Sequence, residues 1–332
     1  MVDNKSQIEH SISQVRKRDG SVSDFNRDKI LNAIYKAFSA SNKPDKELAI
    51  KLADGVLTKL TEHGFSANNP PSVESIQDLV ESTLIDQGHS DIAKSYILYR
   101  HERRKVREEK MKVLNTKKLD SVGKSFDINC LRVMASRYLF RDGKNEIIEK
   151  PSELFERVAV LVSISDLIRD SYLFTKDGGV SQNLEEAAEY LKKLDDFNYK
   201  FKIGSYHLNK WHFRCLINCY LDLAKQGMMK VSFKELLTML ASKKFDAYAD
   251  RISEYYGLMT SQDFLPNSPT MMNAGGRLGQ LSACFVLGMP DDMQSIMKTT
   301  SDAALIFKSG GGVGINYSDL RDEGEIVPST SG

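Results

Sequence analysis

A mainly α chain with α/β parts is what this sequence predicts, and three observations carry the prediction. Apolar residues recur at helical spacing through most of the chain, Asp19-Gly20 separates two short extended runs near its start, and a glycine cluster after residue 308 follows a strand-like and then a helix-like run. The 332 residues, 41% hydrophobic and 27% charged, are enough for more than one core.

Residues 1–13 are polar and read as a flexible tail. From Val15 to Phe25 the pattern is strand, Asp-Gly turn, strand. Asn26 or Asp28 then caps a helix carrying Ile30, Leu31, Ile34 and Phe38. Pro44 and Asp45 open a second helix with Leu48, Leu52, Val56, Leu57 and Leu60 on one side, ended by His63-Gly64. After Asn68-Asn69-Pro70-Pro71 a third helix carries Val73, Ile76, Leu79, Val80 and Leu84, and a fourth runs from about Ser90 through Ile92, Tyr96, Ile97 and Tyr99. The run Arg100 to Lys112 mixes both charges, so it reads as a solvated helix joining two domains rather than a nucleic-acid patch. Residues 120–263 are mostly helical by periodicity, as in Ser152 to Ile168 and Asn183 to Leu194, with loops at Asp142-Gly143 and Asp177-Gly178-Gly179. A strand at Ser282 to Leu287, a helix after Asp291 and a strand at Ile315 to Arg321 complete the reading.

Lys plus Arg number 46 against 45 Asp plus Glu, so no global field favours nucleic acid or an anionic membrane, and neither is expected as a partner. Four irregularly spaced cysteines fit a reducing compartment better than a disulfide scaffold. The opening MVDNKSQIEHSIS lacks the apolar centre of a signal peptide, and no window approaches the roughly 20 apolar residues of a membrane span. The expected location is cytoplasmic.

Several residues carry chemistry in their own right. Lys17, Arg18 and Lys29 lie on or beside the hairpin and the following helix N-terminus, where charge and helix dipole both favour polyphosphate. Gly310, Gly311, Gly312 and Gly314, with Lys308, let backbone approach a ligand closely, although the spacing is not that of a Walker loop. Ser268 and Thr270 either cap the turn that follows or bind a ligand. Composition alone makes Cys284, in the apolar run SACFVL, a small buried hydrophobe. His207, His212, Cys215 and Cys219 match no common zinc spacing and read as packing, Cys130 as structural, and Trp211 with Tyr206 and Phe213 as a core contact.

The pattern from Val15 to Ile34, with SIQDLVE (Ser75 to Glu81) and AKSYILYR (Ala93 to Arg100), resembles the ATP-cone domain, the regulatory module of ribonucleotide reductases. That resemblance implies an ATP/dATP effector site at Val15, Lys17, Arg18, Asn26 and Lys29, with Lys17, Arg18 and Lys29 on the phosphates. Where some relatives carry Thr and His in the third helix, this chain has Val73 and Gln77. FLPNSPTMMNAG, LGQLSACFVL and KSGGGVGINYSDLR, with NCLRVMASRYLFRDG upstream, resemble the large subunit of ribonucleotide reductase, most closely its adenosylcobalamin-dependent class II. A class I enzyme with a separate radical-generating subunit is the alternative within that family.

The implied organisation is an ATP-cone at 14–105, a helical domain at 106–263, and the first strands of a ten-stranded α/β barrel at 264–332. Cys284 is implied to be one of the two redox cysteines, Ser268, Ala283, Gly311 and Gly312 to hold the substrate, and Asp291 and Arg321 to bind a deoxynucleotide specificity effector. The family's thiyl cysteine, its companion Asn and Glu and the second redox cysteine have no counterpart before STSG (Ser329 to Gly332), so the expectation is a split enzyme, encoded separately or left at an intein junction and completed by a C-terminal half, with a truncated fragment as the alternative. The implied partners are that half, a thioredoxin- or glutaredoxin-type reductant, and further copies in a homo-oligomer. The alternative outside catalysis is an ATP/dATP-binding regulatory protein.

Overall fold

The computed structural model describes residues 12–18, 20–195 and 200–325. Most of the expected tail, Asp19 of the turn and the STSG segment lie outside them. Two compact units result, one of residues 1–112 with 116–118, the other of 113–115 with 119–332.

In the first unit, β1 (Gln14–Arg16) pairs antiparallel with β2 (Val22–Asp24), Val15 opposite Ser23. Gly20 has φ +81°, a left-handed conformation that favours glycine, and its N–H donates to Lys17 O at 3.0 Å. Four helices follow: α1 (Arg27–Ala40), α2 (Lys46–Glu62), α3 (Val73–Asp86) and α4 (Ser90–Val113). Asn26, not Asp28, caps α1, accepting from Asp28 N at 2.8 Å; Asp45 and Ser72 cap the next two through Leu48 N and Ser75 N. Their apolar faces meet in one core of Ile30, Ile34, Phe38, Leu52, Val56, Leu60, Leu84, Ile92 and Tyr96. Each such side chain contributes about 1.5–3 kcal/mol by leaving water. Beyond Tyr96 the buried residue of α4 is Lys110, so the mixed-charge run is a largely solvent-facing helix continuous with the fourth helix of the bundle.

The second unit is built around α7 (Pro151–Leu167), preceded by α5 (Ser121–Ser125) and α6 (Ile128–Val133). Leu154, Phe155, Val158, Ala159, Val160, Leu161, Ile164 and Leu167 bury apolar groups all round α7, the pattern of a helix packed on every side. It packs against α5, α9 (Lys210–Lys225), α11 (Tyr248–Thr260) and α12 (Ser268–Asn273). Between α7 and α9 lie α8 (Leu184–Lys192) and a hairpin of β3 (Lys202–Ile203) and β4 (Tyr206–His207), too short for a sequence period to signal. With α10 (Phe233–Ala241), they frame an aromatic cluster in which Phe213 stacks on Phe201 and Phe233 meets Tyr190 and Tyr220 edge-on. Trp211 is not in that core: it is half-buried, with the cations of Lys210 and Arg214 each 4.8 Å from its ring centroid.

Last come β5 (Cys284–Gly288), α13 (Met293–Lys308) and β6 (Gly312–Asn316), the strands parallel with Cys284 opposite Gly312. The second strand starts earlier than Ile315, inside the glycine cluster, because Gly312 N–H already donates to Ala283 O at 2.6 Å. Cys284 is exposed rather than buried. Along both strands exposure alternates: Phe285, Leu287, Val313 and Ile315 are half-buried, while Cys284, Val286, Gly312 and Gly314 are on the open face. Composition had no means of telling which face of SACFVL an apolar layer would cover.

Candidate functional site

The first unit gathers its candidate nucleotide residues at one end. Arg16 N–H donates to Pro71 O at 2.9 Å, tying the hairpin to the residue before the Ser72 cap of α3. Val15 is on β1, Lys17 and Arg18 follow it, Asn26 caps α1, and Lys29 is exposed in the first turn of that helix. Arg18 is not a free cation: its Nε bonds Glu74 Oε1 at 2.5 Å and its Nη2 bonds Gln77 Oε1 at 3.2 Å, both on α3. Burial, then the charge of Arg18, lowers the pKa of Arg107 on α4. Two guanidinium groups thus share one neighbourhood, with Glu74 bonded to Arg18 and the charges of Glu108 and Glu74 both acting on Arg107. Gln77, which departs from the family's pattern, is part of this arrangement.

In the second unit, α12 carries Ser268 at its first position. Asn267, rather than Ser268 or Thr270, is the cap, accepting from Thr270 N at 2.9 Å. Thr270 Oγ1 donates instead to Leu281 O at 3.1 Å, and Asn273 Nδ2 to Gln280 O at 2.8 Å, so α12 is stitched to the segment that becomes β5. Gln280 Nε2 donates to Ser282 O at 2.8 Å, and Gln280 Oε1 is the buried side-chain polar atom without a partner among the described residues. Across the sheet stand Ala283, Cys284 and the Gly311-Gly312 turn. A Cβ on Gly311 would sit 2.7 Å from Ile306 Cγ2 and 2.9 Å from Phe285 Cε2, so only glycine passes between α13 and β5. Gly312 and Gly314 leave bare backbone beside Cys284 and Val286. The structure therefore brings together Ala283, Cys284 and Gly312, and links Ser268 to them through the Thr270 bond.

Asp291 and Arg321 meet directly. Arg321 Nε donates to Asp291 Oδ2 at 2.7 Å, with both side chains partly buried. Asp292, one residue on, caps α13 by accepting from Ser295 N at 2.9 Å, and these bonds hold its carboxyl below the usual range.

The His and Cys residues of the middle region are not gathered on one centre. No group of three or more His, Cys, Asp or Glu side chains that could hold a metal ion occurs among the described residues. Cys215 and Cys219 approach to 3.9 Å between sulfurs; that contact pulls Cys219 down to about 7 and pushes Cys215 up. Cys130 Sγ donates to Asp127 Oδ2 at 3.0 Å.

Sequence reasoning missed the polar hub beneath α12. Arg157, 5% exposed, is ion-paired with Glu149 at 2.6 Å and donates to the carbonyls of Tyr138 (2.9 Å), Met271 (3.0 Å) and Ala274 (2.5 Å). An arginine inside the apolar run FERVAVLV was the available signal, since a buried charge must be paired. Burial lowers its pKa while Glu149 opposes that shift. His212 completes the hub: Nδ1 accepts from Asn209 N at 3.1 Å and Nε2 bonds Arg157 O at 2.9 Å, a set that only the neutral, Nε2-protonated ring satisfies.

Burial is the main cause that lowers His212 from 6.5 to about 4. The unfolded chain binds this proton below pH 6.5 and the folded one resists it, so stability is lost as pH falls from 6.5 towards 4. The loss should reach about 3 kcal/mol from this group. Urea melts at stepped pH measure it, and His212→Gln should flatten that part of the profile; an unchanged slope would refute the assignment.

Residues 13–105 match the ATP cone domain family, residues 124–279 the all-alpha domain of ribonucleotide reductase, and residues 282–332 its barrel domain. Among curated proteins, a vitamin B12-dependent ribonucleoside-diphosphate reductase of Thermoplasma acidophilum is 38% identical over 330 residues, covering 97% of this chain and 39% of the relative. A protein of the same description from Mycobacterium tuberculosis is 28% identical, covering 96% and 34%. The ribonucleoside-diphosphate reductase subunit alpha of Chlamydia pneumoniae is 26% identical, covering 97% and 37%. The chain thus spans little more than a third of the length of these relatives.

Proposed function

The chain belongs to the ribonucleotide reductase large-subunit family, and from that premise we propose that it supplies the regulatory cone and the first redox cysteine of an enzyme that reduces ribonucleoside diphosphates. One observation carries the reading: Cys284 is an exposed thiol on the open face of β5, register-paired with Gly312 where the backbone is bare. A thiol in that position reaches a bound ribose, and the absence of side chains at Gly312 and Gly314 leaves the sugar room.

In the proposed reaction Cys284 and a second cysteine, supplied by the remainder of the barrel, give two electrons and two protons. The 2′-hydroxyl leaves as water, and the two sulfurs close a disulfide that a thioredoxin- or glutaredoxin-type dithiol reopens by exchange. Ser268, Ala283 and the Gly311-Gly312 turn hold the nucleotide, and the unpartnered Gln280 Oε1 is an acceptor in reserve beside them. Adenosylcobalamin supplies radical initiation when bound. The open face here presents Cys284, Val286 and two glycines, which are no cradle for a corrin, so its site is assigned to the remainder of the enzyme.

ATP and dATP are the proposed effectors of the cone, held by Val15, Lys17, Arg18, Asn26 and Lys29. Binding of their phosphates competes with Glu74 for Arg18. A deoxynucleotide effector inserts between Asp291 and Arg321, taking the carboxylate on its sugar hydroxyl and the guanidinium on its phosphate. The assembled enzyme is proposed as a homo-oligomer. The four free thiols fit a cytoplasmic setting, and no helix among the described residues is long and apolar enough to cross a membrane.

The test is reduction of ribonucleoside diphosphates by this chain assembled with the rest of the barrel. Turnover should require adenosylcobalamin and respond to ATP and dATP, with the response lost in Lys17→Ala. Turnover that needs a separate radical-generating protein instead would move the enzyme to class I. No turnover, with ATP binding intact, would favour the regulatory reading.

A further inference from the structure

The segment before α7 holds a group that the proposed chemistry has not used. After α6 the chain passes through one wide turn, Met134–Tyr138, in which Leu139 N–H donates to Met134 O at 2.9 Å, five residues back. Each helical residue turns the chain by about 100°, so this one-residue insertion re-aims everything after it by that angle. Wide turns of this kind recur at functional sites because they point a side chain where a regular helix would not.

Tyr138 is the residue re-aimed. Its hydroxyl lies 3.0 Å from Ser268 Oγ, across 130 residues of sequence. Neither partner is free to wander. The Tyr138 carbonyl is bonded by Arg157 Nη2, and Arg157 also bonds the Met271 and Ala274 carbonyls, which belong to α12 and its C-cap. Both ends of the Tyr138–Ser268 contact are therefore bolted to one buried guanidinium, itself held by Glu149. A hydroxyl placed this firmly is confined to donating to the phenol or accepting from it before any ligand arrives.

We propose that Tyr138 is a positioning residue for the ribonucleotide: its phenol fixes the orientation of the Ser268 hydroxyl, so that Ser268 meets the substrate already aligned. The inference rests on the reading that Ser268 contacts substrate, and it adds a second hydroxyl to that contact from a different element of the fold. Tyr138 acts through Ser268, so its removal loosens substrate binding without disturbing the redox thiol.

The experiment is steady-state kinetics on the assembled reductase with Tyr138→Phe, Ser268→Ala and the double variant. Tyr138→Phe, which keeps the ring, is expected to raise KM for the ribonucleoside diphosphate about three- to tenfold with kcat falling less than twofold. Ser268→Ala should raise KM at least as much, and Tyr138→Phe should add nothing on that background. Ser268→Thr, which keeps a hydroxyl within reach of Tyr138, should recover most of the KM lost in Ser268→Ala. If Ser268→Ala raises KM but Tyr138→Phe does not, or if the two effects add, the role of Tyr138 is refuted while that of Ser268 stands. If Ser268→Ala leaves KM unchanged, the substrate reading of Ser268 itself falls. Should Tyr138→Phe melt early, the threonine rescue decides alone: no recovery in a normally melting Ser268→Thr protein counts against the proposal.

Discussion

Arg157→Ala is expected to destabilise the second unit by about 3–5 kcal/mol, most of a typical domain's margin. The Arg157 and Glu149 side chains are 5% and 8% exposed, so truncating the arginine leaves a carboxylate in the interior without its cation. The same change strips donors from the carbonyls of Tyr138, Met271 and Ala274 and removes a cation lying 3.9 Å from the Phe140 ring centroid. Urea denaturation of the second unit's transition reads the loss. The control is Glu189→Ala, which breaks an ion pair exposed 64% on each side and screened by water, and which should leave the transition almost unmoved. Removing Glu149 as well should restore part of the stability, because the stranded charge is then gone. A loss below that of the exposed control would mean the hub is replaceable by water.

Cys284→Ser is the second large effect. Oxygen cannot take sulfur's place in a disulfide, so under the role proposed for Cys284 the electrons for ribose reduction would have no route, and turnover of the assembled enzyme with a dithiol reductant should fall on the order of 10³-fold or more. ATP binding by the first unit should be untouched, since Cys284 belongs to the second. Deoxynucleotide formation over many turnovers is the measurement. Sustained turnover by the serine variant would remove Cys284 from the chemistry and leave its exposure on β5 without a purpose.

The sequence made the four-helix module readable because its signals are local. Asn26, Asp45 and Ser72 are caps whose partners lie within three residues, and Ile30, Ile34 and Phe38 share a face by spacing alone. The β5–α13–β6 order was legible for the same reason. Exposure of Cys284 was not, because an apolar strand does not say which of its faces a helix will cover. The Tyr138–Ser268 and Arg157–Ala274 bonds were out of reach in a stronger sense, joining residues 130 and 117 positions apart. Only the odd arginine in an apolar helix hinted that something polar had to meet it there. The start of β6 was misplaced because glycine carries low strand propensity, yet Gly312 enters the sheet in register with Cys284.

The corner where α7, α9 and the loop after α12 meet also limits how this sequence can drift. Gly275 has φ +64°, and a Cβ there would lie 2.6 Å from His212 Nε2 and 3.2 Å from Arg157 Cβ; one on Gly276 would lie 2.7 Å from Phe140 Cζ. Alanine at 275 is strained by that φ whatever the space and would also meet His212, while a smaller residue at 212 orphans the Asn209 N–H and the Arg157 carbonyl. Substitutions at 140, 157, 212, 275 and 276 should therefore be rejected, with effects that do not add because these residues touch one another, so that this corner stays fixed while the solvated face of α4 changes freely.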